Sequence, residues 1–167
     1  ILTLNAGSSS LKFALFRSEP GLVRVLVGKV ERIGLPDAVL TVTEVATQHT
    51  ERRVIQAPDH AACVEPVLLC LERQASMAGL SAVGHRIVHG GMRYKAPERV
   101  SAAMLDELRR LSPFDPEHLP AAIGLIEALA QRYPALLQAT CFDTAFHADM
   151  PPVAKLLPIP RRYAALG

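Results

Sequence analysis

Five short runs rich in Val, Leu and Thr crowd into the first 55 residues: Leu2–Leu4, Leu11–Phe16, Leu22–Val30, Val39–Val45 and Arg52–Ile55. Gly and Pro punctuate them, as expected of strands. The intervals are too short for helical crossovers, so neighbouring strands must connect as an antiparallel meander. In the second run, alternation places Lys12, Ala14 and Phe16 on one face and Leu11, Phe13 and Leu15 on the other. Both sets are largely apolar, which predicts a central strand covered on both faces.

After Pro58 the period changes. Asp59 is a candidate N-cap, and Val64, Val67, Leu68, Leu71, Ala75 and Ala78 follow helical spacing toward Gly79. Pro66 must kink that helix or sit in its first turn. A strand over Ala82–Val88 follows, then helices over Ser101–Leu111 (capped by Ser101) and Leu119–Arg132, then a strand over Leu136–Phe142. The order implies an α/β lobe, a mixed β-sheet with flanking helices.

Composition narrows the function. Half of the 167 residues are apolar and the net charge is only +2, without a basic stripe interleaved with aromatics. That speaks against nucleic acid as a partner. No apolar run approaches the roughly 20 residues that cross a bilayer, and no secretory leader pattern opens the chain. Three cysteines without metal-type spacing suit a reducing compartment, so the expected location is cytoplasmic. Ile1 begins inside a strand without a preceding Met, and Gly167 follows the basic stretch Pro160-Arg161-Arg162-Tyr163 with no terminal helix. The expectation is that little is missing before Ile1 and much after Gly167.

Three blocks carry candidate chemistry. The first is Asn5-Ala6-Gly7-Ser8-Ser9-Ser10 followed by Leu11-Lys12. Small residues let backbone N–H groups approach an anion, and the hydroxyls and Lys12 add donors and charge. The lysine lies on a strand, unlike that of a P-loop, so a β-hairpin phosphate cradle is implied. An ordinary serine-rich turn would have the same composition. Asn5 could order the turn or touch a hydrated Mg²⁺.

The second block is Gly84-His85-Arg86-Ile87-Val88-His89-Gly90-Gly91. Arg86 arrives near the carboxyl end of a strand, where open α/β sheets bind ligands, and its fork suits a carboxylate or phosphoryl oxygen. His85 and His89 would be roughly 13 Å apart along a strand, which favours structural roles over a metal pair. The third block is Cys141-Phe142-Asp143-Thr144-Ala145-Phe146-His147. Alone, Asp143 could be a turn cap. With the serine loop and Arg86 also at strand ends, it could join them at one sheet edge. The proline-bounded loop Leu111-Ser112-Pro113-Phe114-Asp115-Pro116-Glu117-His118 reads as a helix connection or a site loop, and the sequence alone does not decide.

These blocks, in this order and at these intervals, resemble the three signature blocks of acetate kinases. The resemblance covers the whole chain but less than half of the family's length. It implies one lobe of the actin/Hsp70/sugar-kinase (ribonuclease H-like) superfold, residues 1–167 being the amino-terminal acyl-kinase lobe. In the family, a Gly-Phe-His-Gly-Thr-Ser block and the nucleotide-binding lobe would follow. The implied reaction is reversible phosphorylation of acetate by ATP to the acyl phosphate, with Mg²⁺ as cofactor and a homodimer when full length. Asn5 would help hold Mg²⁺, and Ser8, Ser10 and Lys12 would contact the nucleotide phosphates. Arg86 would bind the substrate carboxylate and the transferring phosphoryl group. Val88 and Phe114 would line the slot for the acyl methyl, and Asp143 would be the essential carboxylate.

One departure stands out. The family usually has Leu-His-Asn where this chain has Phe114-Asp115-Pro116, so an acid replaces a donor, with altered acyl preference or a substitute such as His118 as the alternatives. Propionate and butyrate kinases are the nearby alternative. Ala6 and unbroken Ser8-Ser9-Ser10 lean away from the butyrate relatives, which resemble Asn-Pro-Gly-Ser-Thr-Ser there. A non-catalytic nucleotide-sensing lobe is the alternative from another class. Retention of Lys12, Arg86 and Asp143 together argues against it. The isolated chain is expected to bind ATP feebly and not to turn over.

Overall fold

The computed structural model describes residues 1–74 and 79–166. Eight strands form one mixed sheet: β1 (Leu2–Ala6), β2 (Ser10–Arg17), β3 (Val23–Glu31), β4 (Ala38–Glu44), β5 (Thr50–Ile55), β6 (Ala82–Ile87), β7 (Glu98–Arg99) and β8 (Leu137–Phe142). Their spatial order is β5-β4-β3-β2-β1-β6-β8-β7. The first five form the expected antiparallel meander. β6 pairs parallel to β1 and β8 parallel to β6, so both junctions need crossovers, and helices supply them. The two-residue β7 adds an antiparallel edge to β8 that no sequence pattern announced.

The first crossover carries a 3₁₀ turn (Ala61–Cys63) and α1 (Val64–Gln74). Asp59 Oδ1 accepts from Ala62 N at 2.8 Å, so the expected cap closes the 3₁₀ turn, and Pro66 falls in the first turn of α1. Ala75 and Ala78, expected to continue the helical stripe, lie outside the described residues. The second crossover carries α2 (Ala102–Leu111) and α3 (Leu119–Arg132). Ser101 Oγ caps α2 by accepting from Met104 N at 3.2 Å. A four-residue α4 (Pro152–Lys155) and a 3₁₀ turn (Arg161–Leu166) close the described chain, where the sequence predicted no terminal helix.

The core lies between the helices and one face of the sheet. Leu2, Leu4, Leu11, Phe13 and Val83 pack with Val67, Leu71, Leu125 and Leu129, while Ile87 and Phe142 pack with Met104, Leu108 and Ile126. Each such side chain contributes about 1.5–3 kcal/mol by leaving water. Gly28 opposes Phe13, whose ring would lie 2.2 Å from a Cβ at Gly28, so the glycine is what lets this aromatic lie flat on the sheet.

The opposite face is open, which corrects the expectation of two-sided cover for β2. Leu11, Phe13 and Leu15 are buried, whereas Lys12 is exposed and Ala14 and Phe16 are only half-buried. The same alternation runs through β1, where Leu2, Leu4 and Ala6 are buried and Thr3 and Asn5 are not. No described helix crosses to that face, so apolar content on both sides of a strand did not mean cover on both sides.

Candidate functional site

Register builds the site. Lys29 pairs with Lys12, Lys12 with Asn5, Asn5 with Arg86, and Arg86 with Cys141. These five residues form one row across β3, β2, β1, β6 and β8, all on the open face. Adjacent strands lie about 4.8 Å apart, so residues as distant in sequence as Asn5 and Cys141 come to share one row. The row sits at the carboxyl ends of the parallel strands β1, β6 and β8, the edge where open α/β sheets take ligands.

Arg86 is the centre of the row. Its Nε donates to Asp143 Oδ1 at 3.0 Å, its Nη2 donates to Asp143 Oδ2, and its Nη1 donates to Asn5 Oδ1 at 3.0 Å. A guanidinium has five N–H donors. Three are engaged here, leaving one on Nη1 and one on Nη2 for a ligand oxygen. The Arg86 and Asp143 side chains are 42% and 43% exposed, so solvent screens the pair and its value lies in orientation more than in stability.

Asp143 opens a 3₁₀ turn (Asp143–His147) directly after β8. The next residue ties this turn to the loop after β6, because Thr144 Oγ1 accepts from Gly90 N at 3.4 Å. Gly90 and Gly91 are needed there. A Cβ at Gly90 would lie 2.6 Å from Tyr94 O, and Gly91 has φ +63°, a conformation that L side chains rarely adopt.

The serine loop joins β1 to β2. Gly7 N donates to Ser10 O at 2.7 Å, and Ile33 N donates to Ser9 O at 3.1 Å. Ser8 and Ser9 are exposed, and among the described residues neither of their N–H groups makes a hydrogen bond. Lys12 has no ion-pair partner among the described residues, while Lys29 pairs with Glu31 at 2.9 Å. Asn5, Lys12, Arg24, Lys29, Arg86 and Cys141 line a cleft of about 600 Å³ along the open face. Four cations line it, a composition suited to anions. Of these, Lys29 and Arg86 are paired with Glu31 and Asp143, and Lys12 and Arg24 have no ion-pair partner among the described residues.

Not every expected residue joins this assembly. Phe114, 80% exposed, ends a 3₁₀ turn (Ser112–Phe114), and Val88 is half-buried just beyond β6. Neither lines the cleft beside Arg86. Asn5, expected as a Mg²⁺ contact, does line the cleft, and its carbonyl oxygen accepts from Arg86. Both Asp143 oxygens face the same guanidinium, and the described residues hold no group of three or more His, Cys, Asp or Glu that could hold a metal. Mg²⁺ takes several oxygen donors in octahedral array, and Asn5 Oδ1 on the cleft wall is a neutral oxygen of that kind.

The histidines divide by role. His85 points to the core face of β6, opposite Arg86. Its Nε2 donates to Gln138 Oε1 at 2.7 Å, and Gln138 Nε2 donates to Ile126 O at 3.2 Å. Burial holds its pKa down to about 4, against the opposing pull of the Gln138 hydrogen bond. His89 Nδ1 accepts from Gly91 N at 2.8 Å. His118 Nδ1 donates to Asp115 Oδ1 at 2.8 Å, and Asp115 Oδ2 is buried without a partner among the described residues. His60, which no motif singled out, reaches the serine loop: its Nε2 lies 2.7 Å from Gly7 O and 3.3 Å from Ser10 O.

The acetokinase family matches residues 1–167. The acetate kinase of Deinococcus radiodurans is 42% identical over 162 residues, 97% of this chain and 40% of that protein. That of Chromobacterium violaceum is 36% identical, again over 97% and 40%. Among solved structures, a Porphyromonas gingivalis acetate kinase superposes with a TM-score of 0.89 at 29% identity, covering 99% of this chain and 42% of that one. A Francisella tularensis propionate kinase gives 0.86 at 29% identity, covering 98% and 41%. The chain thus spans about 40% of the length of the curated relatives it matches. With the family matched end to end and the sheet shared with its solved members, this chain belongs to the acetokinase family.

Proposed function

We propose that residues 1–167 form the amino-terminal lobe of a kinase that phosphorylates a short-chain carboxylate, acetate first, with ATP and in a reversible reaction. The observation that carries the reading is the Arg86 fork, locked by Asp143 and Asn5 in one row with Lys12. Phosphoryl transfer asks for alignment and charge neutralisation more than for covalent chemistry. The two free N–H groups of Arg86 suit one oxygen of the carboxylate or of the phosphoryl group in flight, lessening repulsion between two anions. Ser8, Ser10 and Lys12 flank the same edge and would take the nucleotide phosphates. Mg²⁺ would enter with the nucleotide, and Asn5, at the same edge, would supply it an oxygen.

Asp143 is a positioning group in this scheme. A short-chain carboxylic acid has a pKa of roughly 4 to 5, so the nucleophile is ionised at neutral pH and needs no base. Both Asp143 oxygens face Arg86, which fits orientation of the guanidinium and leaves no oxygen aimed elsewhere. The likeness to a propionate kinase favours a second reading in which the acyl chain is one carbon longer. Val88 and Phe114 would form an acyl wall only together with the partner lobe. Free thiols at Cys63, Cys70 and Cys141 suit a cytoplasmic setting, and a homodimer of complete chains follows from the family likeness alone.

The test is acyl phosphate trapping as hydroxamate by the full-length protein carrying this chain, with acetate, propionate and butyrate in parallel. The proposal expects product with the first or second acid. No product with any acid overturns it.

A further inference from the structure

We infer that His60 is a positioning residue for phosphate binding, the clamp that turns the serine loop's N–H groups toward the ligand; this rests on the kinase reading above. His60 is only 7% exposed and lies some fifty residues from the loop in sequence. Carbonyl oxygens only accept, so Nε2 carries the hydrogen and donates to Gly7 O at 2.7 Å, with a longer contact to Ser10 O at 3.3 Å.

The consequence follows from peptide planarity. The Gly7 carbonyl and the Ser8 N–H belong to one trans peptide and point in opposite directions. Fixing Gly7 O on His60 therefore aims Ser8 N–H to the side of the turn opposite the imidazole. Ser8 and Ser9 N–H, which have no partner among the described residues, are the donors left for an anion.

Packing does not do this task instead. Beside the turn, an open cleft of about 420 Å³ is lined by Ser8, Asp59, His60, Glu117, Pro120 and Gly124. His60 itself is held firmly: Asp59 Oδ1 accepts from Ala62 N at 2.8 Å, Cys63 N donates to His60 O at 3.1 Å, and Cys63 is fully buried. Ile33 N donates to Ser9 O at 3.1 Å and so anchors the Ser9–Ser10 peptide of the loop, while Gly34 N donates to Ala57 O at 2.8 Å; the Gly7–Ser8 peptide is left to His60. A fixed donor against a turn of small residues pre-aligns the turn before any ligand arrives.

The experiment compares His60→Ala, His60→Asn and His60→Gln in the full-length protein. The Gln side chain carries an amide nitrogen near the position of Nε2, whereas that of Asn stops short. The clamp predicts an ATP KM and an ATP dissociation constant raised about tenfold in His60→Ala and His60→Asn. It also predicts return to within about twofold of wild type in His60→Gln, and a KM for acetate within about twofold throughout. If His60→Ala does not fold, the Asn and Gln pair decides alone. An unchanged ATP KM in His60→Asn, an equal rise in both substrates' KM, or no recovery in a folded His60→Gln overturns the inference. A wild type that binds ATP with this variant pattern, yet forms no acyl phosphate, overturns the kinase reading and leaves the clamp standing. A wild type that binds no ATP overturns both.

Discussion

Acidification should unfold this chain in part through one buried histidine. His85 is 2% exposed, and burial lowers its pKa from 6.5 to about 4. Gln138 presents only its carbonyl oxygen to the ring, because the amide nitrogen is engaged by Ile126 O. The environment therefore suits the neutral Nε2–H imidazole, and a second proton would be carried into the core. The sign follows from which state binds the proton. Above pH 6.5 His85 is neutral in both folded and unfolded chains and contributes no pH dependence. Between pH 6.5 and about 4 the unfolded chain takes a proton that the folded chain refuses, so stability falls as pH falls. Below about 4 the loss is complete. The gap of about 2.5 units, at 1.36 kcal/mol per unit, gives about 3 kcal/mol, a large share of the roughly 5–15 kcal/mol that holds a domain together.

The assay is urea unfolding of the chain from pH 7 to pH 4, for the wild type and for His85→Gln, which keeps a donor but does not titrate. Other titrating groups are common to both, so the difference between the two stability curves isolates His85. That difference should shrink by about 3 kcal/mol across the range, mostly below pH 6.5. Parallel curves, or an imidazole NMR midpoint near 6.5 in the folded chain, would refute the reasoning.

Three further outcomes are expected. Arg86→Ala in the full-length protein should lower kcat by 10²-fold or more and raise the carboxylate KM, while the ATP dissociation constant stays within about threefold; calorimetry and steady-state kinetics read both. Asp143→Asn keeps the shape of the side chain but weakens the fork. It should lower kcat without moving the acidic limb of the pH–rate profile, whereas loss of a pKa from that profile would mark Asp143 as a base. Finally, Cys141 is exposed in the row beside Arg86, while Cys63 and Cys70 are buried with their thiol pKa values pushed up by burial, Cys63 to about 12. A maleimide should label Cys141 first, as read by mass spectrometry, and ATP should slow that labelling.

Much of the fold was legible because it is written locally. Closely spaced β-type runs force a meander, and the Ser101 cap, Pro66 and the leucine stripe of Leu119–Arg132 each act within a few residues. The meeting of Asn5, Arg86 and Asp143 was legible for a different reason: each lies at or just past the end of a strand, and parallel strands deliver their carboxyl ends to one edge. The rest needed tertiary information. Whether Ala14 and Phe16 are covered depends on which helices cross the sheet, not on β2 itself. The row from Lys29 to Cys141 requires the register of five strands. A two-residue strand such as Glu98–Arg99 has no period to read. His60 carries no local motif, since its partners lie some fifty residues away. The pairing of Asp115 with His118 is a local i,i+3 contact, yet the loop's composition did not distinguish it from a simple helix connection.

The most direct test of the central claim is a crystal structure of the full-length protein with ADP, Mg²⁺, acetate and a planar fluoride mimic of the phosphoryl group. The account predicts the mimic within hydrogen-bond distance of an Arg86 Nη atom, with Asp143 still on the guanidinium and the nucleotide phosphates at the Ser8–Lys12 turn. A mimic bound on another surface, with Arg86 touching neither it nor acetate, would contradict the account.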